Sequence, residues 1–288
     1  MSDEANQKLM ISAWRARNKI YEELFGAYVY SLPKAYAPPA APEPGFSRQA
    51  GGSTQVSAGV SDELSGRRAD EGSGEGSGEG SDAGSDEGSE QGEMVFNSAM
   101  RAQRISVLAY GPRIDRPYWT YVTAGLSNPW FQEEPGEVSG FGCELVVKSA
   151  VDARWPIRLL RPLAYYILSY TGTLSPGVIL NMKAPIGATR DAHLNNIFVW
   201  YVDEAPDCLY ELPSGAFGLF SVVGITEDEC QFAESVQDYG TFCIQQVLRQ
   251  SNVGQVTDPA RPSVMQQKDI DSILKSVKTY VDNFRSTV

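Results

Sequence analysis

A chain of 288 residues with 36 acidic and 24 basic side chains carries a formal net charge of −12 at pH 7. Phosphate binding needs concentrated Lys and Arg, and the sequence has no basic run or basic–aromatic stripe, so we expect no nucleic-acid partner. The longest apolar runs, around Leu163–Leu168 and Ala216–Ile225, are far shorter than the roughly 20 residues that cross a bilayer, so we expect no membrane partner.

The beginning of the chain and its cysteines indicate a compartment. The first ten residues are acidic and polar and lack the apolar core of a signal peptide. The four cysteines are widely spaced and form no C-x-x-C pair, which favours free, buried thiols. We therefore expect a protein of the reducing cytoplasm.

Residues Met10–Phe25 predict an amphipathic helix that ends at Gly26. Trp14, Tyr21 and Leu24 lie on one stripe of this helix. Because a lone helix of this length is marginal in water, we expect the stripe to be buried against a folded domain.

The segment 37–93 is first rich in Pro and Ala and then rich in Gly, Ser, Asp and Glu. It has almost no large apolar side chains, so it cannot offset the conformational entropy of ordering, and we expect a disordered linker. Ser61–Glu93 alone holds 11 acidic and 2 basic residues, a net charge of −9. The rest of the chain, at −12 − (−9) = −3, is therefore close to neutral.

Beyond the linker, β-branched and aromatic runs alternate with longer amphipathic segments. The strands are expected at Tyr118–Ala124, Cys143–Lys148, Gly177–Asn181, Ile197–Val202 and Gly218–Gly224, with a strand or short helix at Ile105–Tyr110. The helices are expected at Pro156–Tyr170, Glu227–Glu234, Tyr239–Gln250 and Gln267–Phe284. This order predicts an α+β fold: a mixed, mostly antiparallel sheet with helices packed on its faces.

An acidic loop between two strands is the candidate partner-binding site. It contains Trp130, Phe131, Glu133 and Glu134, which set bulky aromatic rings beside carboxylates. Exposed aromatics are strong interface anchors, and carboxylates suit a basic protein partner. The alternative is an ordinary loop with Trp130 folded into the core.

Five motifs resemble the suppressor-of-fused (Sufu) family. The first is a tryptophan-led strand that ends in a G-[FL]-S turn at Gly125–Ser127, and the second is S-G-[FW]-G-x-E-[LF] at Ser139–Leu145. Three further motifs follow in the family's order: W-P-x-x-L-[ML] from Trp155, a core strand and helix over Gly218–Glu234, and T-D-P-x-R-x-S at Thr257–Ser263.

The resemblance covers about residues 107–263 and implies a binding protein without catalysis. Animal members of the family sequester a transcription factor through a short peptide that adds as a strand. Bacterial single-domain relatives are often encoded beside polymorphic toxins and resemble immunity proteins. The chain matches only the first domain of the animal proteins, which leaves out the second domain that closes the peptide cleft.

The residues offer no catalytic constellation. His193, the only histidine, has Asp191 two residues away as an orienting carboxylate, but no G-x-S-x-G or reactive-cysteine motif accompanies it. We interpret it as a surface or structural histidine. The stretch from Thr226 to Glu229, with a hydroxyl followed by acids at a helix start, is interpreted as capping.

No metal or other cofactor is expected. One histidine without a cysteine cluster cannot build an ordinary zinc site. Asp203, Glu204 and Asp207 lack the spacing of a calcium loop, so a solvated turn is favoured over a metal site.

We therefore divide the chain into an N-terminal helix region that packs on the domain (1–36), a disordered linker (37–93), and a Sufu-like domain with a C-terminal helix (94–288). Three functions remain open. The first is stoichiometric protein binding, as by an immunity protein that neutralises a toxin. The second is an intracellular regulator or adaptor that sequesters a client segment, and the third is an enzyme with an unrecognised site.

Overall fold

A computed structural model describes residues 2–32, 105–170, 174–187, 191–236 and 239–285. The predicted linker, 37–93, lies outside these residues. The elements, in chain order, are α1 (Ser2–Phe25), β1 (Tyr30–Leu32), β2 (Ser106–Tyr110), β3 (Trp119–Ala124), β4 (Val138–Ser149), α2 (Trp155–Tyr170), β5 (Ile179–Asn181), β6 (Asn196–Tyr201), β7 (Tyr210–Leu212), β8 (Gly215–Ile225), α3 (Glu227–Ser235), α4 (Gly240–Gln250) and α5 (Ile270–Arg285).

The eight strands among these residues form one sheet in the order β1-β2-β3-β4-β8-β6-β5, and β7 pairs with the first residues of β8. Only β4 and β8 are parallel; the other pairs are antiparallel. The predicted α+β class, with a mixed and mostly antiparallel sheet, is confirmed.

Alternation along the strands builds a core on each face of the sheet, because successive side chains point to opposite faces. On one face, Leu160, Leu163 and Ile167 of α2 pack against a cluster that includes Leu145 and Val147 of β4. This burial of branched side chains is the main source of stability for the layer.

Helix α1 and a group of three helices share the opposite face. Tyr21 and Phe25 of α1 pack with Tyr110 and Val122 over one half of the sheet. Over the other half, α3, α4 and α5 form a second cluster with residues of β6 and β8, whose buried members include Phe198, Val223, Ile244 and Val277.

The expectation that Trp14 is buried was wrong. The buried row of α1 is Ala13, Arg17, Tyr21 and Phe25, spaced by four residues, whereas Trp14 is 51% exposed. Residues four apart lie above one another on a helix, and the residue after a buried one is rotated away from the contact. The helix thus docks on a row that contains a charged residue.

Most predicted elements are present with shifted ends, and two were missed. The strands β1 and β7 have three residues each, which is too short to show a period in the sequence. Helix α1 begins at Ser2 and strand β4 at Val138, each earlier than predicted.

Candidate protein-binding surface

A buried carboxylate organises the base of the acidic loop. Glu144 is fully buried, and its side chain accepts hydrogen bonds from Gly125 N (2.8 Å), Ser127 N (2.9 Å), Ser127 Oγ (2.7 Å) and Thr123 Oγ1 (2.6 Å). The buried guanidinium group of Arg17, from α1, lies 3.3 Å away and supplies the opposite charge. A buried charge is stable only when paired and hydrogen-bonded, so the turn after β3 is held in one conformation.

A glycine lets β4 pass close to that turn. Gly140 has a φ of +58°, and a Cβ atom there would lie 2.2 Å from Asn128 O. The next residue, Phe141, donates its N–H to Leu126 O (2.9 Å). Only glycine fits this combination of left-handed backbone and close approach.

Gln132 fixes the middle of the loop. Its Nε2 donates to Val138 O (3.0 Å) and Ser214 O (2.9 Å), and its Oε1 accepts from Gly140 N (2.9 Å). One side chain thereby joins the loop, the start of β4 and the turn between β7 and β8.

The first turns of α1 hold the loop from the other side. Asn6 Nδ2 donates to Pro129 O (2.9 Å) and to Gln132 O (2.6 Å). The loop is therefore fixed by side chains that are more than 100 positions apart in sequence, and neither Asn6 nor Gln132 carries a signal in the sequence alone.

The four predicted site residues lie together on this loop. Trp130 is half-buried and its indole N–H donates to Gly125 O (2.8 Å), whereas Phe131 is 67% exposed. Glu133 and Glu134 are exposed, as are Glu137 and Val138, which sequence reasoning missed. We call these six residues, Trp130, Phe131, Glu133, Glu134, Glu137 and Val138, the loop surface.

The model of the family "Suppressor of fused protein (SUFU)" matches residues 101–262, more than half of the chain. The chain belongs to the SUFU family. A comparison with curated proteins finds no match.

One solved structure supports the fold of the SUFU domain, and two further similar structures are reported beside it. Drosophila Suppressor of Fused is 21% identical, with a TM-score of 0.52; the match covers 62% of this chain and 46% of that one, so this chain spans less than half of its length. The Sufu–Fu complex structure is 22% identical, with a TM-score of 0.49, and covers 60% of this chain and 81% of its own. A putative SUFU homologue from Neisseria gonorrhoeae is 14% identical, with a TM-score of 0.42, and covers 62% and 99%.

A second buried ion pair joins two of the remaining SUFU motifs. Glu229 of α3 and Arg261 of the T-D-P-x-R-x-S motif form a bidentate ion pair. The Glu229 carboxylate also accepts hydrogen bonds from Thr226 N (2.9 Å) and Val264 N (2.8 Å). The predicted capping of α3 is confirmed, because Thr226 and Glu229 form a capping box.

A third polar cluster lies on the sheet face shared by α1 and the three C-terminal helices. The Lys148 side chain is 1% exposed, donates to Gln255 Oε1 (2.7 Å), pairs with Glu204 and lies 5.6 Å from the centre of the Tyr118 ring. Burial lowers the pKa of Lys148 to about 7 and raises the pKa of Glu204. The expected solvated turn is therefore wrong for Glu204, which turns inward and anchors the connection from β6 to β7.

His193 is not a member of these buried polar clusters. It is exposed, its backbone N–H donates to Pro259 O (2.9 Å), and it forms no ion pair with any carboxylate in the described part of the chain. Among the described residues no group of three or more His, Cys, Asp or Glu side chains is placed to hold a metal ion. No helix in the described ranges is long and apolar enough to cross a membrane.

None of the four cysteines, all of which lie in the described part of the chain, forms a disulfide bond, and three of them are buried. Burial raises the pKa of the Cys230 thiol to about 12, and Cys143 is shifted in the same direction, so both are unreactive. The expectation of buried thiols was wrong only for Cys208, which is exposed.

Proposed function

We propose that this chain is a non-catalytic protein-binding domain of the SUFU family that engages its partner through the loop surface. The observation that carries the proposal is that Phe131, a 67% exposed ring, is presented by a fixed loop: the loop backbone accepts hydrogen bonds from Asn6 of α1, and its Gln132 side chain donates to β4 and to the β7–β8 turn. A loop ordered before binding loses little conformational entropy when it binds, and an aromatic ring is a common hot-spot side chain.

The finer role that we propose is that of an immunity protein, which neutralises a cognate toxin by stoichiometric binding in the cytoplasm. Its supports are the resemblance to bacterial single-domain SUFU relatives and the carboxylates of the loop surface, which suit a basic target. Cysteines without disulfide bonds fit a reducing compartment.

A second candidate is an intracellular regulator or adaptor that sequesters a client protein segment. Family membership favours it, because another Sufu protein has been solved in complex with Fu. The two candidates differ in the partner: a toxin is inhibited outright by an equimolar amount of the domain, whereas a client is relocated or held inactive.

The test is a capture experiment from cells of the native organism with four immobilised proteins. These are the wild type, Phe131→Ala, Glu133→Lys/Glu134→Lys, and His193→Ala. We expect one protein to be retained in equimolar amount by the wild type and by His193→Ala, and to be reduced with both loop variants. Loss only with His193→Ala would overturn the proposal in favour of an enzyme, and equal retention by all four would exclude the loop surface.

A further inference from the structure

The arm, which we define as residues 2–32 and which contains α1 and β1, contacts the loop that carries Phe131. We infer that the arm docks on the domain as a separate cooperative unit, and that the loop surface holds its binding conformation only while the arm is docked. This inference rests on the proposed function and adds a means of regulating it, because release of the arm would also weaken binding of the partner.

One side chain near the start of α1 holds the loop on both sides of its aromatic residues. Asn6 Nδ2 donates to the carbonyl oxygens of Pro129 (2.9 Å) and Gln132 (2.6 Å), and Trp130 and Phe131 lie between these two residues in the sequence. Withdrawal of Asn6 therefore frees the backbone on either side of the exposed Phe131 ring.

A second side chain of α1 holds the segment that leads into the loop. Arg17 Nη1 donates to Asn128 Oδ1 (2.7 Å) and to Ser127 Oγ (3.1 Å), in addition to its contact with Glu144. Asn6 and Arg17 belong to one continuous helix. Both contacts are therefore lost together when the helix leaves the domain.

The arm is attached to the domain as a distinct part. It is joined to β2 by residues 33–104, which include the predicted linker, and it lies before residue 101, where the SUFU match begins. Among the described strands, β1 pairs with β2 alone, at the edge of the sheet. The cluster that joins α3, α4 and α5 to the sheet contains no described residue of the arm. Release of the arm therefore breaks neither the central strand pairs nor that helical layer.

The buried carboxylate of Glu144 keeps most of its partners when the arm leaves. Its hydrogen-bond donors in Thr123, Gly125 and Ser127 all belong to the domain. Withdrawal of the whole helix also lets water reach the carboxylate in place of Arg17, so the charge is not left buried and unpaired. Release of the arm is therefore an opening that the domain can undergo without unfolding.

Native-state hydrogen exchange of the full-length chain, followed by mass spectrometry at increasing sub-denaturing urea, tests whether the arm and the loop form one unit. We expect α1 and residues 125–137, between β3 and β4, to share one opening free energy and one urea dependence, both below those of β8. Exchange of α1 only through global unfolding would overturn the inference, and so would opening of the loop together with β8.

Two matched pairs of variants test the coupling in both directions, since coupling between two sites is reciprocal. Asn6→Ala should speed exchange of residues 125–137 about tenfold, the scale of one or two hydrogen bonds. Asn18→Ala, the same change about three turns further along α1, should leave that exchange unchanged. Gln132→Ala, which loosens the loop from β4 and the β7–β8 turn, should speed exchange in α1, whereas Gln250→Ala should not.

Unchanged exchange of the loop in Asn6→Ala, or of α1 in Gln132→Ala, would overturn the inference. None of these measurements uses the partner, so their failure is distinct from a failure of the proposed function, which the capture experiment decides. A coupled arm and loop, together with equal capture by all four immobilised proteins, would instead overturn the proposed function.

Discussion

Arg261 forms a bidentate ion pair with Glu229 through both terminal nitrogens of its guanidinium group: Nη1 lies 2.6 Å from Oε1, and Nη2 lies 2.6 Å from Oε2. Glu229 is fully buried, and Arg261 is 8% exposed. Nη2 of the same guanidinium group also donates to Gly224 O (3.0 Å) at the end of β8. Two SUFU motifs that lie about 30 residues apart are therefore one structural unit that joins α3, β8 and the segment before α5.

Arg261→Met should destabilise the domain by about 3–5 kcal/mol, because it leaves a buried carboxylate without its counter-charge. The double variant Glu229→Gln/Arg261→Met should cost less than the sum of the single changes, since the two residues interact directly. Urea unfolding measures the free energy of unfolding of Glu229→Gln, Arg261→Met and the double variant. Arg158→Met, at an exposed position on α2, is the control and should change stability by no more than about 0.5 kcal/mol. Strict additivity would contradict the coupling.

The packing of α1 on the domain should depend on Arg17 more than on Trp14. Arg17→Met removes the only opposite charge paired with the buried Glu144 among the described residues, and we expect a loss of about 3 kcal/mol. Trp14→Ala removes a ring that is half exposed, and we expect about 1 kcal/mol or less. Thermal unfolding of both variants decides this order, and a larger loss for Trp14→Ala would show that α1 docks on its other side.

Lys148 should make stability depend on pH. Its pKa falls from the ordinary 10.5 to about 7 in the folded chain, so between these values the unfolded chain binds more protons. The free energy of unfolding should therefore rise as pH rises from 7 to 9, and fall again as pH is lowered towards 7. Lys148→Met should flatten this dependence, and parallel pH curves for wild type and variant would contradict it.

Gly140 and Gly254 are a matched pair of substitution sites that test the close approach of β4 to the turn after β3. Both have a φ of +58°, but a Cβ at Gly140 would meet Asn128 O at 2.2 Å, whereas nothing lies within 4 Å of one at Gly254. Gly254→Ala should therefore cost only the left-handed backbone penalty of about 1–2 kcal/mol. Gly140→Ala should cost clearly more, as measured by urea unfolding. Equal costs would mean that β4 does not need its close approach to the turn.

The sequence predicted what local patterns encode and missed what distant contacts decide. The strand Trp119–Ala124 and the capping of α3 follow from side-chain shape and spacing over a few residues. Phe131 is predicted at the site because the loop joins two strands and sets bulky aromatic rings beside carboxylates. Asn6 and Gln132 were missed, because the two bonds of Asn6 and the bond from Gln132 to Ser214 O reach across 82 to 126 positions and depend on a fold that no local period reveals.

Gln132→Ala should weaken partner binding although its side chain points into the protein. The change removes all three hydrogen bonds of the Gln132 side chain, to Val138 O, Ser214 O and Gly140 N, so the loop would sample other conformations before binding. Ordering it again on binding should cost affinity, roughly tenfold for about 1.4 kcal/mol. Surface plasmon resonance with the captured partner measures the loss.

The loss of loop order in Gln132→Ala should also be measurable by hydrogen exchange. The amide of Gly140, which donates to Gln132 Oε1 (2.9 Å), should exchange faster in Gln132→Ala, while the amides of β8 keep their protection. Gln250→Ala, at an exposed position on α4, is the matched control and should leave both affinity and exchange unchanged. If Gln132→Ala frees the Gly140 amide but binds the partner as tightly as the wild type, loop order does not contribute to recognition, and Phe131 must act without a preformed support.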